Sequence, residues 1–144
     1  MENDGSDALK SLFQSIQAMN VSEKIELAHK GNKEARTILM RDSNRLVQMA
    51  VIASPKITES EVLLHANNRQ LNEEVLKHIA NSREWLKNYL IRVALANNPK
   101  TPLSDALKQV QFLKTRELAL LAKSKGIPRA LNIAAEQRLR QVKK

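Results

Sequence analysis

Between residues 7 and 19 the apolar positions fall at Leu9, Leu12, Phe13, Ile16 and Met19, the three-and-four spacing of one helix face. Asp7 stands before this stripe as a natural N-cap, and the stretch MNVS ends it. From Ser22 onward the pattern changes to short helical stretches divided by small polar turns. These turns read KGN, RDSN, ASPK, ANNR, ANSR, ANNPKTP and SKGIP. Helix starts are marked by Ser22 before Glu23, by Thr58 with Glu61, and by Asn72 before Glu73 and Glu74. Pro102 and Pro128 sit where a first helical residue tolerates a missing N–H. The spacing predicts one helix over residues 83–97, strained near Lys87–Asn88. Helices this short are marginal alone and must be held by their neighbours.

Two periods run through the chain. EVLLHANNR (61–69) is echoed by EVLKHIANSR (74–83), which places Glu four residues before His twice, as Glu61/His65 and Glu74/His78. A longer register lays 46–63 over 90–107, 44 residues on. It matches Leu46/Leu90, Ala50/Ala94, Pro55/Pro99, Lys56/Lys100, Ser60/Ser104 and Leu63/Leu107, with Val47/Ile91 and Glu61/Asp105 conservative. Repeats of this length belong to stacked helical arrays. We therefore expect an amphipathic helix with a disordered start over residues 1–21. Residues 22–144 are expected to form a helical-repeat domain, an all-α right-handed solenoid of about eight short helices in all.

RVALANNPKTPLSDALKQV (92–110) resembles the leucine-rich repeat variant motif, in which a helix ends in Asn-Pro and Thr-Pro opens the next. The stretch from RDSNRLVQMA to NNPKTP is similar to uncharacterised bacterial helical-repeat domains. The resemblance spans roughly residues 22–140 and implies a superhelix akin to HEAT and armadillo arrays, with no activity attached. The iron–sulfur cluster that accompanies some such repeats is not carried over, because the chain has no cysteine. Some HEAT-like arrays are DNA glycosylases, but four aromatic residues (Phe13, Trp85, Tyr89 and Phe112) are few for holding an extracted base.

Composition narrows the chemistry. The 144 residues suit one core, and the scarcity of glycine (three) and aromatics argues against a sheet protein. With no cysteine, disulfides, thiolate metal sites and Cys nucleophiles are excluded. No apolar run approaches the roughly 18 residues of a membrane span, and the acidic opening MENDGSD is no signal peptide, so the expected location is the cytoplasm. The net charge of +9 is concentrated late, with 10 basic and 2 acidic residues after position 107. An excess of that kind favours an anionic partner or a soluble end cap.

Each candidate chemistry has a plainer competitor. Glu61/His65 and Glu74/His78 on adjacent helices offer four metal ligands, but Val and Leu between them read as a normal amphipathic face, and His-Glu-x-x-His is absent. We take each pair as solvated and the echo as one packing unit used twice, with no metal or cofactor expected. No Gly-x-Ser-x-Gly, Ser-x-x-Lys or glycine-rich phosphate loop occurs, so no enzyme activity is expected. His29, beside Lys30, reads as a surface residue, and the Asn-rich turns as helix caps. The turn cations Lys56, Arg69, Arg83 and Lys100 would form a row in a regular array and grip phosphates. Lys87 and Arg92 extend that row, and Trp85 with Tyr89 offers stacking groups. The last helix packs Leu131, Ala134, Ala135, Leu139 and Val142 and leaves Arg129, Arg138, Arg140, Lys143 and Lys144 outside, a face expected to suit a helix C-terminus or an anion. The expected function is non-catalytic binding of another protein through the repeat surface, with the N-terminal helix burying Leu9, Phe13 and Ile16 as a cap. The alternatives are a nucleic-acid-binding solenoid using the basic edge and the C-terminal helix, and, less favoured, a metal-dependent or base-processing enzyme.

Overall fold

The computed structural model describes residues 5–142, so residues 1–4, on which the expected disordered start falls, and the terminal Lys143 and Lys144 lie outside the described residues. Among those described, all regular structure is helical: eleven α-helices and no strand. They are α1 (Gly5–Gln17), α2 (Val21–Lys30), α3 (Lys33–Leu39), α4 (Arg45–Ile52), α5 (Glu59–Ala66), α6 (Glu73–Ala80), α7 (Arg83–Leu86), α8 (Tyr89–Asn97), α9 (Leu103–Val110), α10 (Thr115–Lys123) and α11 (Arg129–Val142). No helix among the described residues is long and apolar enough to cross a membrane.

The count exceeds the eight expected because asparagine caps subdivide the chain more finely than hydrophobic periodicity shows. The single helix expected over 83–97 is two. Asn88 accepts from the Leu90 N–H at 2.9 Å and so opens α8, while its own N–H closes on Trp85 O as a turn. Asn20, not Ser22, caps α2. Its Oδ1 accepts from Glu23 N at 2.8 Å while Glu23 Oε1 accepts from Asn20 N at 3.0 Å. Only Asn20 stands three residues before the glutamate, the offset that reciprocal bonding requires. Helix α1 begins at Gly5, two residues ahead of Asp7, which falls in its first turn, where a carboxylate complements the helix dipole.

The chain divides into two compact units, Met1–Thr58 and Glu59–Lys144. In the first, α1 packs on α3, and α2 packs on α4. Its interior is aliphatic, with Ala28, Leu39, Val47 and Val51 sealed from solvent. Polar side chains stitch its turns together: Arg36 donates to Gly31 O, and Gln48 Nε2 to Asp42 O. In the second unit α5 packs on α8, α8 on α9, and α10 on α11. Ala96, Leu118, Leu121 and Leu131 lie in its C-terminal core.

Several local features recur at the 44-residue spacing. Asn44 and Asn88 each cap the N–H two residues on, at Leu46 and Leu90. Helices α5 and α9 begin 44 residues apart and are both eight residues long. Burial follows the same register. Val47/Ile91, Ala50/Ala94, Ser54/Asn98, Glu61/Asp105 and His65/Gln109 are buried in both copies, whereas Pro55/Pro99, Lys56/Lys100 and Ser60/Ser104 are exposed in both.

Candidate functional site

The shorter echo is not a structural equivalence. Glu61 and His65 are buried, at 2% and 4% exposure, while Glu74 and His78 are exposed on α6. The expectation of two solvated pairs therefore fails for the first. Glu61 and His65 share the buried state of Asp105 and Gln109, the residues 44 positions on, rather than that of Glu74 and His78. Burial pushes the His65 imidazole below its ordinary pKa, and the Glu61 carboxylate pulls weakly the other way. His65 Nε2 is buried without a hydrogen-bond partner among the described residues. His78 stacks obliquely on Trp85, with ring centroids 5.9 Å apart. No three His, Asp or Glu side chains converge on a common point among the described residues.

The basic positions read from the sequence fall into different environments. Lys56, in the first unit, donates through Nζ to Lys30 O at 3.1 Å, satisfying the last carbonyl of α2. Arg69, Arg83 and Lys100 are exposed in the second unit. Lys87 pairs with Glu84 at 3.2 Å and Arg140 with Glu136 at 2.7 Å, both on the surface. Arg92 and Arg138 meet at one place, the C-terminal end of α9. Arg92 Nη1 donates to Gln109 Oε1 at 3.0 Å, and its guanidinium lies 3.9 Å from the Phe112 ring centroid. Arg138 Nη2 donates to Gln111 O at 3.4 Å, and its Nε is buried, so it is half-buried rather than outside. Cations gathered at a helix C-terminus oppose the partial negative charge of its free carbonyls.

Trp85 is half-buried at α7. Tyr89 is committed elsewhere: its hydroxyl donates to Glu117 Oε1 at 2.6 Å and accepts from Lys114 N at 2.8 Å. Lys114 Nζ lies 4.9 Å from its ring centroid. Lys114 is the N-cap of α10 and makes no side-chain cap bond; the Tyr89 hydroxyl instead accepts from the backbone N–H of Lys114 itself and so anchors the start of the helix. Burial and the Glu117 carboxylate raise the phenol's pKa, and the Lys114 N–H opposes them. Tyr89 is a clamp and not a stacking platform.

Sequence reasoning overlooked the exposed apolar side chains. Leu46 and Leu90, paired in the 44-residue register, are 52% and 58% exposed. Leu64, Phe112 and Leu120 are also more than half exposed. The register placed Leu46 and Leu90 at equivalent positions, but nothing in it distinguished a buried leucine from a wet one. On α1 only Ile16 is buried; Leu9 and Phe13 remain substantially exposed, against the expectation that all three are covered. Val142 on α11 is likewise exposed.

No protein-family model matches the chain, and no curated protein or solved structure matches it either.

Proposed function

We propose that this chain is a non-catalytic helical-repeat module, a right-handed HEAT-like solenoid that binds another protein through its repeat surface. The observation that carries the reading is the pair Leu46 and Leu90. Equivalent helices, each opened by an asparagine cap, hold a leucine at the same position and leave it more than half exposed. A lone wet leucine is ordinary, but the same one displayed by both copies of a repeat is a patterned surface. Among the basic positions, Lys87, Arg92 and Arg140 are engaged by neighbouring side chains and Lys56 and Arg138 by backbone carbonyls, which reduces their availability to phosphates.

The test is twofold. A photo-crosslinking residue at position 46 or at position 90 should trap the same protein from both sites. Fluorescence anisotropy with duplex DNA, single-stranded DNA and RNA should show weak binding at about 50 and about 200 mM salt alike. Tight binding that collapses between those salts would overturn the proposal in favour of a nucleic-acid-binding module gripping through Arg69, Arg83, Lys100 and the C-terminal helix.

A further inference from the structure

An open cleft of about 420 Å³ lies between α1 and α3. Its apolar walls come from Leu9 and Phe13 on α1 and Ile38 on α3, and Lys10, Lys33 and Arg41 stand around them. The single carboxylate lining it is Glu34. Leu9, Phe13 and Ile16 share one face of α1, yet only Ile16 is covered, at 3% exposure against 47% for Leu9 and 42% for Phe13. The amphipathic stripe of α1 is thus half used by the fold.

We infer that this cleft is the docking site for an acidic amphipathic helix of a partner protein, whose Leu or Phe side chains seat against Leu9, Phe13 and Ile38 and whose Asp or Glu side chains meet Lys10, Lys33 and Arg41. Charge complementarity selects the occupant, because three cations to one carboxylate favour an anionic flank. The apolar walls require that the same partner bring hydrophobic anchors at helical spacing. Lys24, in the neighbouring cleft that shares Phe13, Ile38 and Arg41, is already held by Asp42 and contributes no free charge. An anionic bilayer fits poorly, since a flat surface does not enter the cleft and its headgroups would face Glu34. A phosphate backbone gains nothing from Leu9 and Ile38.

The inference rests on the protein-binding reading above and is tested separately from it. A displayed library of random peptides about fifteen residues long, roughly four helical turns, is selected against the full chain. The same selection is run against Lys33→Glu/Arg41→Glu and against Phe13→Ser, with circular dichroism confirming that each variant is folded. The expected result is enrichment of peptides carrying acidic residues beside apolar ones at three-and-four spacing. Their affinity should fall about ten-fold on charge reversal and also on loss of the Phe13 ring. No enrichment, enrichment of basic or purely apolar sequences, or affinity unmoved by either variant would overturn the inference. So would binding to anionic vesicles that Lys33→Glu/Arg41→Glu abolishes while peptides fail to bind. Crosslinking at positions 46 and 90 does not involve this cleft, so a failed cleft leaves the broader reading standing, and a failed reading shows there first.

Discussion

The side chain of Asn98 closes the end of a helix that finished thirty-two residues earlier: its Nδ2 donates to Ala66 O at 2.8 Å and to Asn68 O at 3.0 Å. Its Oδ1 meanwhile accepts from Lys100 N at 2.9 Å, so one buried amide satisfies three backbone groups. Asn132 repeats the device on α10, donating to Leu121 O and Ser124 O at 2.9 Å each. The residue 44 positions earlier is Ser54, whose Oγ accepts the local bond from Lys56 N.

Asn98→Asp keeps the shape and replaces the donor with a carboxylate facing two carbonyls. The Lys100 N–H still reaches one carboxylate oxygen, but the oxygen in place of Nδ2 faces two acceptors with no donor, which should cost about 2–4 kcal/mol, read as a drop in urea midpoint at unchanged slope. Asn98→Ser, which installs the serine of that earlier position, should cost less. Equal stability of all three proteins would show that the amide does not hold α5.

Tyr89→Phe removes a hydroxyl that serves two partners on one helix start. Lys114 N then loses its acceptor and Glu117 its donor, for an expected loss of about 1–2 kcal/mol. A double-mutant cycle with Glu117→Gln should return a coupling of roughly 0.5–1 kcal/mol. A coupling indistinguishable from zero would mean the two side chains merely lie near one another.

The helical class and the Asn72 cap were legible because each depends on residues close in sequence, whereas the caps at Asn20, Asn32, Asn44 and Asn88 were passed over. Asn72 before Glu74 is decided within two positions. What stayed hidden depends on partners far along the chain. Tyr89 looked like a stacking group because Lys114 and Glu117 lie 25 and 28 residues away. Glu61 and His65 looked like Glu74 and His78 because the sequence around both pairs is nearly the same; the fold buries the first pair and leaves the second exposed. The cleft was hidden for the opposite reason. Leu9 and Phe13 carry a core pattern, and the fold leaves them uncovered.

Two glycines make a paired test of close approach against backbone freedom. At Gly126, φ is +83° and an added Cβ meets no atom within 4 Å, so Gly126→Ala should cost about 1 kcal/mol through conformation alone. At Gly31 the backbone is extended, but a Cβ would lie 2.7 Å from Leu27 O, the carbonyl that the Gly31 N–H itself caps. Gly31→Ala should therefore cost at least as much, roughly 1–3 kcal/mol, by pushing the end of α2 apart. Thermal unfolding of both variants decides the matter, and a harmless Gly31→Ala would show that the turn between α2 and α3 yields freely.

His65 links the fold to pH. In the folded chain burial holds its imidazole below the ordinary value of 6.5, with Glu61 only partly opposing. The unfolded chain therefore binds the proton more readily, and stability rises with pH wherever the two states differ in protonation. The contribution is complete above about pH 6.5 and is lost as pH falls through that value towards the folded pKa. Unfolding midpoints at about pH 7.5 and about pH 5.5 should differ, with the lower pH less stable. His65→Gln places at this position the residue its register partner Gln109 already carries, so the change suits the site and removes the titrating group. The variant should lose this part of the pH dependence. An unchanged difference between the two pH values in His65→Gln would assign the acid sensitivity to other groups and leave His65 without a role in it.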